Sequence, residues 1–269
     1  MRAGWLFLAL GAVLSSSPMK AKIVTQSVPY EQGGVQLEGY LAYDDAAGKA
    51  KRPGVLIVHE WWGLNDYVRG RARQLAELGY VAFALDMYGG GAVTTDAKQA
   101  GAWAGQFYGK PLMAERARAG LEQLLKTGLV KRSRVAAIGY CFGGTTVQAL
   151  AYSGAPLTGI VSFHGGLIAA SAAAAEKNHA RFLICHGGND SFESKEDVDA
   201  FLASMKKGKF DYQFIIYSGA VHAFTNPDAD RMAKLNHLEG GIGYNREADL
   251  HSFAHMRLFL DEVLGGAKP

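Results

Sequence analysis

Three side chains suited to nucleophilic attack on a carbonyl occur along this chain in a usable order. Cys141 stands in Gly139-Tyr140-Cys141-Phe142-Gly143-Gly144, Asp190 closes His186-Gly187-Gly188-Asn189-Asp190, and His222 lies in Gly219-Ala220-Val221-His222-Ala223-Phe224. A thiol becomes a good nucleophile when a base takes its proton, and an imidazole acts as that base when a carboxylate fixes its tautomer. Gly-x-nucleophile-x-Gly is the pattern of a sharp strand-to-helix turn that strains its central residue and exposes the side-chain heteroatom. The neighbours must be small because the two elements pack closely at that corner. A helix N-terminus and a nearby imidazolium both favour thiolate over thiol. The competing reading of Cys141 is a buried cysteine in a glycine-rich corner.

Such a turn requires a strand before it and a helix after it. The apolar run SRVAAI (133–138) and the helix-like TTVQALAY (145–152) stand on the required sides. KIVTQSVPYE and VQLEGYLAYD alternate polar and apolar residues around a QGG turn, which predicts an antiparallel hairpin with one solvated face. From residue 54 onward the strands become short, nearly continuous apolar runs: GVLIVHE, YVAFALDMYG, SRVAAIGY, LTGIVSFHGG, RFLICHGGND and FDYQFIIYSGA. Runs of that kind belong to parallel strands covered on both faces. Amphipathic segments with helical start and stop signals lie between them, at 65–79, 111–128, 194–208 and 245–265. Alternation of strand and helix to the end of the chain predicts an α/β fold, a doubly wound, mostly parallel sheet preceded by the hairpin. Residues 22–269 read as a single domain. In such sheets ligands sit at the carboxyl ends of the strands, where Glu60, Tyr88, Cys141, His164, Asp190 and His222 all fall.

The totals exclude several classes. A chain of 269 residues, 49% hydrophobic and 20% charged, is neither disordered nor fibrous. Residues 1–21 place Arg2 ahead of an apolar stretch from Trp5 to Leu14 and then small residues, the layout of a secretory signal peptide. That stretch is too short to span a bilayer, so no stable membrane insertion is expected after cleavage near Ala21. The expected location is periplasmic or secreted; translation from Met19 would make the protein cytoplasmic. The formal charge of +3 includes Arg2 and Lys20, and nothing marks a nucleic-acid binder. Two cysteines, Cys141 and Cys185, are too few for a disulfide scaffold, and Cys185, inside an apolar run, reads as core. His251 and His255 lie one helical turn apart but lack the intervening Glu of a zinc motif, so no metal site is expected there.

The oxyanion of an addition intermediate would be held by backbone N–H groups of Phe142, the residue after the nucleophile, and of Trp61, in the loop after the third strand. Glu60 is too polar for a routine place beside this site. It either interacts with the resting thiol or pairs with a nearby Lys or Arg. His59, His164 and His186, also at strand ends, either line the site or satisfy loop backbone.

At these residues the chain resembles the dienelactone hydrolase family of α/β-hydrolases. HEWWGL, LDMYG, GYCFGG, HGGND, GAVHAFTNP and YNREAD fall where that family has its motifs, across nearly the whole of residues 22–269. The resemblance implies Cys141, Asp190 and His222 as the triad, Glu60 as the carboxylate that interacts with the resting cysteine, and Tyr88 at the substrate pocket. It also implies hydrolysis of a small ester or lactone without a cofactor. The departure is in charge. The namesake enzymes hold a substrate carboxylate with arginines, whereas HAFTNPD and GGGAVTTDAKQ contain none, so a different substrate is expected. The alternative function is a catalytically silent binding protein of the same fold.

Overall fold

The computed structural model describes residues 22–48 and 50–265; the leader read in residues 1–21 lies outside them. Strands β1 (Ile23–Gln32) and β2 (Val35–Asp44) form the antiparallel hairpin, with Gly33 and Gly34 at φ 60° and 78° in its turn. The remaining strands are β3 (Arg52–Val58), β4 (Val81–Leu85), β5 (Val130–Tyr140), β6 (Gly159–Phe163), β7 (Arg181–Gly187) and β8 (Tyr212–Tyr217). They make one eight-stranded sheet in the order β1-β2-β4-β3-β5-β6-β7-β8, antiparallel on both sides of β2 and parallel from β4 to β8.

Two apolar layers cover the sheet, and the period-two alternation of each strand decides which residue joins which layer. Val55 and Ile57 of β3 pack with Val68, Ala72 and Leu75 of α1 (Asp66–Glu77) and with Met256 and Phe259 of α8 (Arg246–Leu264). Leu56 and Val58 join the opposite layer, with Leu121 of α3 (Leu112–Lys126), Val147 of α4 (Phe142–Tyr152) and Phe201 of α6 (Lys195–Lys207). Leu56, Ile57 and Phe83 have no exposed surface, and full burial of such side chains is worth about 1.5–3 kcal/mol each. At the β8 edge the alternation is looser, and Ile216 is exposed.

The helix start signals work locally. Asn65 caps α1 by accepting from Val68 N–H, Ser194 and Asp197 form a reciprocal capping box on α6, and Gly265 ends α8 in the left-handed region at φ 70°. Three shorter helices, α2 (Ala97–Ala104), α5 (Ala172–Lys177) and α7 (Ala229–Asn236), were not expected from periodicity. Eight residues or fewer fall short of the window of about 11–18 residues over which helical periodicity can be read from sequence. No helix among the described residues is long and apolar enough to cross a membrane.

Candidate active site

Cys141 is the single residue between β5 and α4, at φ 54° and ψ −118°. An L-residue held in such a region costs about 1–3 kcal/mol and persists only where its surroundings over-determine it. Here they do. The Cys141 N–H donates to Phe163 O at 3.0 Å and to His164 Nδ1 at 3.1 Å, and the Cys141 carbonyl accepts from Gly144 N–H at 2.8 Å. The glycines allow backbone to press on backbone: a Cβ on Gly139 would lie 2.0 Å from Gly143 O, and one on Gly143 would lie 2.3 Å from Val58 O. The Phe142 N–H, in the first turn of α4, has no carbonyl four residues back within the helix and is free to face a ligand.

The His222 and Asp190 loops follow β8 and β7 and meet beside the thiol. His222 Nδ1–H donates to Asp190 Oδ2 at 2.9 Å, which leaves the other ring nitrogen for Cys141, which lines one cavity with it. Burial alone would lower the His222 pKa. The Cys141 sulfur and the Asp190 carboxylate outweigh it and hold the imidazole well above its ordinary value. Asp190 is buried, and its second oxygen accepts from Phe192 N–H at 3.0 Å, so the carboxylate cannot swing away from the ring without losing a bond.

A buried polar chain ties the nucleophile corner to the base loop. Because His164 Nδ1 accepts from Cys141, its proton is on Nε2, which donates to Thr225 Oγ1 at 2.7 Å. Thr225 Oγ1 lies 2.7 Å from Tyr67 Oη, and the Thr225 carbonyl accepts from Arg71 Nη2 at 2.7 Å. Arg71 is in turn salt-bridged to Asp249 of α8. Burial, aided by the neighbouring His222, keeps the His164 pKa well below its ordinary value, so this ring stays neutral and holds one tautomer.

The remaining expected residues take other places. Glu60 is buried; Oε2 accepts from Asn226 Nδ2 at 2.6 Å and Oε1 has no hydrogen-bond partner among the described residues, where the carboxyl is engaged by neither the thiol nor a Lys or Arg. Burial pushes its pKa up to about 7, against the pull of Asn226 and His222. Tyr88 lies behind the cavity wall, where its hydroxyl donates to Trp61 O at 2.9 Å and its ring packs on Trp103 and Phe142. It braces the Trp61 loop. Asp86 in turn fixes the start of the Tyr88 loop, accepting from the N–H groups of Tyr88 and Gly89, both at 2.9 Å. His59 satisfies loop backbone, bonding Glu60 O with one nitrogen and accepting from Met87 N–H with the other. His186 lies against Phe214, and its Nδ1 has no hydrogen-bond partner among the described residues. His255 bonds Tyr217 Oη at 2.8 Å, and Cys185 is fully buried, as its apolar run predicts.

A cavity of about 320 Å³ opens over Cys141, walled by Trp61, Tyr108, Phe142, Phe192, Glu193 and His222. A wider cleft of about 810 Å³, lined by Trp62, Tyr67, Asn226 and Arg231, includes neither the thiol nor the imidazole. Tyr108, Phe192, Glu193 and Thr225 were not singled out from the sequence. Glu193 resembles the acidic lead-in of an ordinary helix, and Thr225 gave no signal beyond lying three residues after His222.

A model of the dienelactone hydrolase family matches residues 37–264. A protein of Aquifex aeolicus named as a carboxymethylenebutenolidase is 28% identical over 206 residues, 75% of this chain and 87% of its own. Two solved structures superpose with a TM-score of 0.85. One, titled m3DLH, is 38% identical and covers 90% of this chain and 99% of its own; the other, a dienelactone hydrolase-like promiscuous phosphotriesterase from metagenomic libraries, is 36% identical over 91% and 99%. With the sheet order, the strained cysteine corner and these matches together, the chain belongs to the dienelactone hydrolase family of hydrolases.

Proposed function

We propose that the protein hydrolyses small esters or lactones through a Cys141-His222-Asp190 triad and a thioester intermediate. The observation that carries this reading is the position of the His222 ring, bonded to Asp190 through Nδ1 and sharing one cavity with the strained Cys141. His222 takes the thiol proton and the sulfur attacks the carbonyl carbon. The Phe142 and Trp61 N–H groups then stabilise the oxyanion. Collapse breaks the ester C–O bond, and the leaving alkoxide receives the proton from His222. A water, deprotonated by the same imidazole, attacks the thioester and releases the acid, and the proton returns to sulfur. Asp190 stays ionised throughout and fixes the tautomer that lets His222 serve both half-reactions. Side chains and backbone amides supply every step.

The alternative, a silent binding protein, does not account for a strained cysteine that still shares its cavity with a histidine bonded to a carboxylate. One relative is titled a promiscuous phosphotriesterase, and uncharged phosphotriesters form a second class open to the same thiolate attack. In the deciding experiment, Cys141→Ala lowers turnover of nitrophenyl acetate by about 10³-fold or more at unchanged melting temperature. Undiminished turnover overturns the assignment.

A further inference from the structure

The cavity over Cys141 has one acidic wall. Trp61, Tyr108, Phe142 and Phe192 surround it with aromatic rings, and no lysine or arginine is among its lining residues. The exception is Glu193, just before α6. Its Oε2 accepts from Leu167 N–H at 3.0 Å, which pins the carboxylate to the loop after β6, and it takes part in no salt bridge among the described residues. Asp197, one turn into α6, lies on the adjoining surface with Glu193, so the negative potential extends outward from the mouth. Arg71, the nearest cation to the base loop in the polar chain, is committed to Thr225 and Asp249.

Aromatic faces attract cations through their quadrupole, and a carboxylate beside them adds a formal charge of the same preference. An anionic substrate meets the opposite: a carboxylate, no lysine or arginine in the lining, a His222 imidazole already engaged by Asp190, and a partly desolvated approach. We propose that Glu193 determines specificity in this cavity by favouring esters that carry an ammonium group, seated among Trp61, Tyr108 and Phe192, and by rejecting esters that carry a carboxylate. This inference rests on the thiol-hydrolase reading for its substrate, but the potential at Cys141 is measurable without turnover.

The test has two arms. In the first, Cys141 is modified with trimethylammonioethyl methanethiosulfonate and with its sulfonatoethyl counterpart, and the cation-to-anion rate ratio is compared with that of free mercaptoethanol. The ratio at Cys141 exceeds the free-thiol ratio by about tenfold at about 20 mM salt and shrinks toward it at about 0.5 M. Glu193→Gln, which keeps an acceptor for Leu167 N–H, removes most of the excess; the salt series needs no variant and guards against misfolding. In the second arm, nitrophenyl esters of a trimethylammonio acid and of its tert-butyl isostere are compared by kcat/KM. The cationic ester is preferred in the parent and loses that preference in Glu193→Gln. A free-thiol ratio at Cys141, or a preference unmoved by Glu193→Gln, overturns the inference. Absence of turnover of both esters, with the modification ratio intact, overturns the hydrolase reading instead and leaves the charge assignment supported.

Discussion

At the corner that carries the thiol, His164, Asp190, His222 and Thr225 are buried, and each is hydrogen-bonded to another part of the site. Across the cavity, Tyr108 and Phe192 are 48% and 49% exposed; their rings meet Phe142 and His222 respectively, and the Phe192 N–H also donates to Asp190. The corner is built from strand ends, where the sheet fixes position. The facing wall includes loop residues whose rings are half exposed. Under the function proposed above, chemistry that tolerates little displacement belongs to the first, and selectivity to the second, where residues can change without disturbing the fold.

Substitutions at the two sides should therefore differ in kind. The largest effect is expected for Asp190→Asn, which keeps the size of the side chain but no longer demands a proton on His222 Nδ1; kcat falls about 10²- to 10⁴-fold with the melting temperature nearly unchanged, measured on the ester used for Cys141→Ala. A fall of less than threefold would place the orienting group elsewhere.

The next effect concerns stability and separates Glu60 from the ion-paired carboxylates. A carboxyl whose pKa is about 7 in the fold and near 4.5 when unfolded keeps its proton in the folded state over that interval while the unfolded chain has lost it. Its contribution is therefore fully present below pH 4.5 and is lost as pH rises to about 7, at a cost on the order of 3 kcal/mol. Glu60→Gln retains an acceptor for Asn226 and has no such loss. In denaturant unfolding the variant gains on the parent by about that amount between about pH 4.5 and pH 8; parallel pH profiles for the two proteins would show that Glu60 is not desolvated. The smallest effect is expected at the wall: Tyr108→Ala changes stability by no more than about 0.5 kcal/mol and raises KM about threefold with little change in kcat. A large fall in kcat would mean that the wall takes part in the chemistry.

Much of the corner was legible because its constraints are local. Gly139, Gly143 and Gly144 around Cys141 are demanded by backbone packing, and that demand appears in sequence as a motif; Asp190 and His222 each follow an apolar run that only a strand explains. Glu60 was legible as a misplaced polar residue, although its partner was not, because Asn226 is 166 positions away and reaches it only through the fold. Tyr88 was expected at the pocket and instead lies one layer behind, since a motif gives the strand end but not the rotamer. Glu193 and Phe192 had no local signature at all. Their meaning comes from the cavity they face, and a cavity is a property of several loops together.

The polar chain behind His164 has a consequence for how the enzyme comes into being. Arg71 and Asp249, whose side chains close that chain, are 178 positions apart, and Thr225 reaches Tyr67 across 158. A nascent polypeptide emerging from the ribosome can lay down most of the sheet and even the cysteine corner, Tyr67 and Arg71 included, before Thr225 and Asp249 have been made. Only when the last helix docks does the carbonyl of Thr225 find a fully anchored guanidinium. Contacts of such sequence separation form late, because chain closure must precede their reward. The polar chain is thus completed together with the fold, and a partly synthesised or truncated chain carries Cys141 without the full framework behind it.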